Sequence, residues 1–297
     1  MTAQRALLPD GRWHFQHGPM DIVIGADGAP GAVASAHEAA WARFQLLLDE
    51  LVRELALLRR PVAGTCPLHG EVARCMWSAC KPFEAGFITP MAAVAGAVAE
   101  ALIVFYERDG IERAWINNGG DIALHLAPGS SVRVGVYADI ARLDASQLRG
   151  GLTTDGRFEV TQAMPVHGVA TSGWRGRSFS LGIADSVTVL ARTASEADAA
   201  ATVIANAVNV SDARIERRSA CELKDDSDLG AIEVTVDVPR LPADVVRAAL
   251  DRGATKAREL RNADAIHAAL LICQGQLAVC TTPVPAAVGS AICLTPA

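Results

Sequence analysis

Glu112-Arg113-Ala114-Trp115-Ile116-Asn117-Asn118-Gly119-Gly120-Asp121-Ile122-Ala123-Leu124-His125-Leu126 carries two apolar runs joined by a glycine pair. Residues 112–116 and 122–126 read as strands, and the glycines free the backbone for a sharp reversal between them. With 132–137 the stretch becomes a meander, the pattern of antiparallel sheet rather than of regular βαβ alternation. Working outward, 13–16 and 21–24 read as short strands around His17-Gly18-Pro19. Further strands are expected at 167–171, 186–192 and 231–238, and 267–273 with 276–281 reads as a hairpin across Gln274-Gly275. Val33, Ala36, Ala40, Phe44, Leu47, Leu48, Leu51, Leu55 and Leu58 recur at helical spacing and predict one long helix over 33–58, ended by Pro61. Other helices are expected from Pro90 to about residue 106, over 195–208 and over 243–260. Residues 63–87 have no clear period and are expected to be irregular. The fold class is therefore α+β, with largely antiparallel sheets flanked by long helices. It is expected as a single domain over 1–297, with room for two intimate α/β lobes and an irregular tail at 283–297.

Composition narrows the function classes. Of 297 residues 51% are hydrophobic and 20% charged, which excludes a disordered chain. A net charge of −6 and the lack of a long basic run argue against nucleic acid as a partner. Residues 85–99 are uncharged but too short to span a bilayer, and Glu100 follows them. The uncharged stretch 266–297 is broken by Gly275, Pro283, Pro285, Gly289 and Pro296, so no membrane segment is expected. Seven cysteines and an opening without a basic, then apolar, leader suggest a reducing cytoplasm.

Three segments could carry chemistry. Asn117-Asn118-Gly119-Gly120-Asp121 offers donors, an acceptor and bare amides that would fit a nucleotide phosphate or ribose, and it is equally a hairpin turn. Thr171-Ser172-Gly173-Trp174-Arg175-Gly176-Arg177 ends a strand with hydroxyls, a glycine and two arginines, an arrangement suited to an anion and also common in loops. No GxGxxG and no P-loop accompanies them. On the helix beginning at Ser195, Asp198, Thr202, Asn206 and Asn209 share one face of an otherwise apolar segment. Unpaired buried polar groups cost about 1–3 kcal/mol each, so this stripe needs protein partners, a ligand or a cation. Asp198 and Thr202 could offer Mg²⁺ a carboxylate and a hydroxyl, or Asp198 could be a helix cap beside a structural Asn ladder. Cys66, Cys75 and Cys80 match no common zinc or iron–sulfur spacing, and neither His69 nor the His14/His17 pair completes a ligand set.

Taken together, Asn117-Asn118-Gly119-Gly120-Asp121-Ile122, Ala170-Thr171-Ser172-Gly173, Ala184-Asp185-Ser186-Val187-Thr188-Val189 and Ala197-Asp198-Ala199-Ala200-Ala201-Thr202 resemble the ApbE superfamily. Its best-known members transfer FMN from FAD to a protein threonine. Pro90-Met91-Ala92-Ala93-Val94-Ala95-Gly96-Ala97-Val98-Ala99-Glu100, Ser178-Phe179-Ser180-Leu181-Gly182-Ile183-Ala184-Asp185 and Ala205-Asn206-Ala207-Val208-Asn209 are closer to an uncharacterised branch that also resembles a domain of 6-hydroxynicotinate reductase-type proteins. The resemblance implies a flavin nucleotide, FAD or FMN, lined by Asn117, Asn118, Gly119, Gly120, Asp121, Thr171, Ser172, Gly173, Arg175 and Arg177. It implies Mg²⁺ on the side chains of Asp198 and Thr202. An acceptor or redox partner protein would follow, and the Ala/Gly-rich second helix offers a face for a homodimer. The His and Asp-Pro pair usual in the transferases is replaced by Ser178-Phe179-Ser180-Leu181-Gly182, which weighs against FMN transfer and leaves flavin binding untouched. The alternatives are a flavin-dependent reductase, or a component of one, acting on an N-heteroaromatic acid, and a non-catalytic flavin-binding module.

Overall fold

A computed structural model describes residues 2–136, 156–281 and 292–293. The strands are β1 (Gln4–Leu7), β2 (Trp13–His17), β3 (Met20–Gly28), β4 (Ile111–Asn118), β5 (Asp121–Leu126), β6 (Ser131–Val136), β7 (Gly156–Thr161), β8 (Gly168–Ser172), β9 (Ser186–Ala191), β10 (Glu216–Ser219), β11 (Glu233–Asp237), β12 (Ala268–Cys273), β13 (Gln276–Cys280) and β14 (Ile292–Cys293). The helices are α1 (Pro30–Arg53), α2 (Leu55–Leu58), α3 (Glu71–Cys80), α4 (Val94–Ile103), α5 (Ala194–Ala207), α6 (Ala220–Leu223) and α7 (Ala243–Asn262). Nine strands form one sheet in the order β1-β2-β3-β4-β5-β8-β9-β12-β13, and every pairing within it is antiparallel. The α+β class with a large antiparallel sheet and long helices is as the sequence reads.

Alternation along the strands separates two faces. Ala123 of β5, Val189 of β9 and Leu271 of β12 pack with the helices, whereas Leu124, Leu190 and Leu270 lie in a separate core with Phe158 and Val160 of β7. β9 and β12 are buried at every position, as central strands covered on both sides must be. α1 buries Ala36, Ala40, Phe44, Leu47 and Leu51, a stripe at helical spacing, against Phe15, Ile22 and Ile24. Each large side chain so buried contributes about 1.5–3 kcal/mol.

Several expectations are corrected. The helix read as 33–58 breaks at Glu54, whose backbone leaves helical geometry while its carboxylate accepts the N–H groups of His69 (2.8 Å) and Gly70 (2.6 Å) at the start of α3. The segment 63–87 is not irregular throughout: α3 lies inside it and buries Val72, Ala73, Met76, Ala79 and Cys80. The second helix is α4 with single 3₁₀ turns before and after it. The strand expected at 231–238 is β11, which pairs with β10 in a separate two-stranded ribbon. The tail at 283–297 lies outside the described residues except for β14, which pairs with β7. Among the described residues no helix is long and apolar enough to cross a membrane.

Candidate functional site

The reversal between β4 and β5 is a two-residue turn in which Asn118 pairs with Asp121. Gly119 (φ 67°) and Gly120 (φ 114°) both occupy positive φ, which side chains resist and glycine accepts. Asn117 Oδ1 accepts the Gly120 N–H at 2.9 Å and holds the turn shut. The plain hairpin reading of these residues therefore holds, and it sets two side chains at one end of the sheet. Asn118 Nδ2 donates to Ala95 O of α4 at 3.1 Å, and the buried Asp121 Oδ1 accepts the Thr171 N–H at 3.1 Å.

α4 and α5 meet above this end. A Cβ on Gly96 would stand 2.2 Å from Ala194 O, so only glycine lets the two backbones approach this closely. The contact brings Asp198, on the second turn of α5, to α4, where its Oδ2 accepts the Gly96 N–H at 2.9 Å. Thr202, half-buried, follows one turn further along the same face. Burial raises the Asp198 carboxyl well above the carboxylate range, and the charge of Asp121 raises it further, against the opposing pull of the Gly96 and Ala95 amides. Burial likewise pushes Asp121 up to about 7, opposed by the Thr171 amide and the positive charge of Arg177. Two carboxylates thus share a desolvated spot, an arrangement that favours either a proton or a cation between them.

The segment after β8 lies beside the turn. Thr171 Oγ1 stands 2.9 Å from Thr188 Oγ1 of β9, so that hydroxyl already has a protein partner. Ser172 is half-buried and pairs in register with Val187. Gly173 packs where a Cβ would be 2.3 Å from Asp185 O. Arg175 is exposed and lies over the Trp174 ring at 4.8 Å. Arg177 is exposed too, donates to Pro19 O at 2.9 Å, and places Nη1 2.9 Å from where a Gly119 Cβ would be. Arg177 thereby joins the β2–β3 turn, the glycine turn and Asp121.

The polar stripe read as one helix face divides in two, because α5 ends at Ala207 and Asn209 lies beyond it. Asn206 Oδ1 accepts the Leu181 N–H (2.9 Å) and the Ser180 hydroxyl (3.2 Å), and Asn209 Nδ2 donates to Leu181 O (2.6 Å) while Arg217 donates to Asn209 Oδ1 (2.7 Å). These two asparagines are structural. Asp198 turns to the Gly96 amide instead and feels the Asp121 charge.

Sequence reasoning missed Glu100, whose Oε2 accepts the N–H (3.2 Å) and hydroxyl (2.8 Å) of Ser195. It also left Cys75 and Cys80 without a place; both lie on α3. Cys75 Sγ lies within hydrogen-bond reach of both Glu100 Oε1 (3.6 Å) and Ser195 Oγ (3.4 Å), and the buried Cys80 donates to Thr89 O. Among the described residues no three His, Cys, Asp or Glu side chains form a metal-holding group. Gly96, on the small-residue face of α4, packs directly against the start of α5. A surface concavity of about 550 Å³ near Arg43, Glu50 and Glu54 is not a rival site, because Arg43 pairs with Glu50 and Glu54 caps α3.

Residues 5–279 match the family model described as AbpE bacteria. A UPF0280 protein from Methanopyrus kandleri is 37% identical over 221 residues, covering 73% of this chain and 82% of the relative. A UPF0280 protein from Methanospirillum hungatei is 38% identical over 135 residues, 45% of this chain and 50% of that protein. Among solved structures, the flavin transferase ApbE from Vibrio cholerae superposes with a TM-score of 0.52 at 10% identity, over 95% of this chain and 98% of the other, a likeness of fold.

Proposed function

Because the chain belongs to the AbpE bacteria family, within the ApbE-like superfamily, we propose that it binds a flavin nucleotide, FAD or FMN, with Mg²⁺ at the junction of β4–β5, β8 and α5. The observation that carries this reading is that α4 ties the two elements together: Asn118 at the β4–β5 turn donates to Ala95 O, and Asp198 of α5 accepts from Gly96 N. This brings the buried carboxyls of Asp121 and Asp198 within range of each other's charge, with the exposed Arg177 acting on Asp121. The donor set fits a hard cation: Asp198 and Thr202 would hold it with oxygen, the ligand type Mg²⁺ takes, and Asp121 completes the negative field. When bound, Mg²⁺ neutralises charge on a pyrophosphate. Arg177 and the amides of the Gly119-Gly120 turn would position phosphate oxygens, with Asn117, Asn118, Thr171, Ser172, Gly173 and Arg175 forming the surrounding wall.

The reaction proposed for this site is cleavage of FAD between its phosphates. A P–O bond forms between an acceptor hydroxyl and the FMN phosphorus, the P–O bond to the AMP phosphate breaks, and the acceptor hydroxyl proton leaves to solvent. Support comes from the fold shared with a flavin transferase and from the acidic site. The chain would work inside the cell, where FAD and Mg²⁺ are both supplied, on an acceptor protein.

The test is an absorption spectrum of freshly purified protein, with mass identification of any bound nucleotide, followed by incubation with FAD, Mg²⁺ and hydroxyl-bearing acceptor proteins. Flavin uptake that requires Mg²⁺, with AMP release, is expected. Flavin held without turnover would reject the transfer step, and no flavin uptake with Mg²⁺ present would reject the reading as a whole.

A further inference from the structure

We propose that Glu100 is a positioning residue for the Asp198 carboxylate, acting through a reciprocal clamp between α4 and α5. The inference rests on the Mg²⁺–flavin reading for its consequence, but not for its geometry. The first-turn N–H groups of a helix lack intrahelical partners. Here each helix supplies a carboxylate to the other's first turn: Glu100 of α4 accepts from Ser195 N of α5, and Asp198 of α5 accepts from Gly96 N of α4. Negative charge is favoured at both helix starts.

The two contacts are spaced four residues apart on α4 and three apart on α5, so each lies along a single helix face. With two points fixed, α5 can neither slide along nor rotate against α4, and Asp198 is held within range of the Asp121 charge, one turn before Thr202 on the same face. Gly96 sits inside the clamp, its Cα pressed toward Ala194 O and Ser195 N. Glu100 is itself held from a third element. Cys75 Sγ of α3 lies 3.6 Å from Glu100 Oε1 and 3.4 Å from Ser195 Oγ, and Thr193 Oγ1 stands 3.1 Å from Ser195 Oγ. Burial and the Glu100 charge push the Cys75 thiol up to about 11, so it remains an S–H donor at neutral pH.

The experiment uses the full chain and compares Glu100→Ala with Glu100→Gln, whose amide oxygen can still accept from Ser195. Without ligand, hydrogen exchange at the Gly96 amide should quicken about tenfold in Glu100→Ala relative to the Leu102 amide of the same helix, because the Asp198 contact loosens locally. A general loss of stability would instead quicken both amides together and would overturn the clamp. With FAD present, the Mg²⁺ concentration for half-saturation should rise about tenfold in Glu100→Ala, the usual cost of losing a residue that orients a metal ligand, and stay within about threefold in Glu100→Gln. Equal impairment of both variants would overturn positioning by hydrogen bonding, since only charge would then matter. Wild-type protein that shows no Mg²⁺-dependent flavin uptake would sink the proposed function, while Gly96 exchange would still decide the clamp.

Discussion

The charge on Asp121 bears directly on Asp198: burial raises the Asp198 carboxyl most, and Asp121, reaching the same spot from β5, raises it further. Neither carboxylate is stabilised by ionising there, which sets the sign of a pH effect. Asp121 titrates near 7 in the folded chain against an ordinary value of 3.8. The stability that its proton supplies is complete below about pH 4 and is lost as pH rises through about 7. Asp121→Asn keeps the acceptor for the Thr171 N–H and removes the charge. The ligand-free variant should therefore melt higher than wild type at pH 8, by roughly 3 °C or more, and no higher at pH 4. A thermal melt at the two pH values checks this, and equal shifts at both would exclude a titration effect.

Asp198→Asn and Thr202→Val separate charge from hydroxyl at the site proposed for Mg²⁺. The amide oxygen introduced by Asp198→Asn preserves an acceptor for the Gly96 N–H, so the variant should fold, yet Mg²⁺-dependent flavin uptake should be lost. Thr202→Val keeps the side-chain shape and removes one oxygen ligand, for an expected loss of about tenfold or more in Mg²⁺ affinity. Titration of flavin fluorescence with Mg²⁺ reads both. Unchanged Mg²⁺ dependence in Asp198→Asn would take the cation site off α5.

How much of this was legible in the sequence depends on range. The strand pair around Gly119-Gly120, the helix from Ser195 and the hairpin across Gln274-Gly275 follow from local periodicity and turn chemistry, and they stand within a residue or two of where those signals place them. α3 buries Val72, Ala73, Met76, Ala79 and Cys80, but ten helical residues inside the longer stretch 63–87 leave no clear period over that stretch as a whole. The break at Glu54 depends on amides fifteen and sixteen residues away, which periodicity within a helix cannot register. At the site, Asp121 and Asp198 can each be picked out, whereas their meeting is a tertiary fact. Periodicity defines a face and not its partners, so the structural reading of Asn206 and Asn209 is open in the sequence and is decided by their bonds to Leu181. Glu100 looks like an interruption of an apolar run and proves to be the partner of Ser195.

Gly96→Ala should be the most damaging small substitution in α4. Ordinarily Ala favours a helix interior over Gly by about 1 kcal/mol. Here the new Cβ would fall 2.2 Å from Ala194 O and 2.9 Å from Ser195 N, backbone atoms that cannot move aside independently of α5. Overpacking of this kind costs about 1–3 kcal/mol, which outweighs the helix gain. The melting temperature should fall by several degrees, and Mg²⁺-dependent flavin uptake should weaken because Asp198 moves away with α5. A variant as stable as wild type would show that the interhelical approach is looser than these distances require.

Arg177 gives a prediction in which binding and titration are linked. Its side chain is exposed and touches Pro19 O and the Gly119 position, so Arg177→Met should change stability by no more than about 0.5 kcal/mol. Losing a guanidinium from the phosphate site should weaken FAD binding about tenfold, and Arg177→Lys should recover only part, because an ammonium lacks the planar fork. The same guanidinium lowers the Asp121 pKa against burial. Without it Asp121 holds its proton to higher pH, so the pH at which Mg²⁺ uptake is half developed should move to the alkaline side in Arg177→Met and much less in Arg177→Lys. Measuring Mg²⁺ half-saturation from about pH 6 to 9 in the three proteins tests this, a window that brackets the Asp121 titration. An unmoved midpoint in Arg177→Met would mean that Asp121 titrates independently of cation uptake, and its place in the site would have to be abandoned.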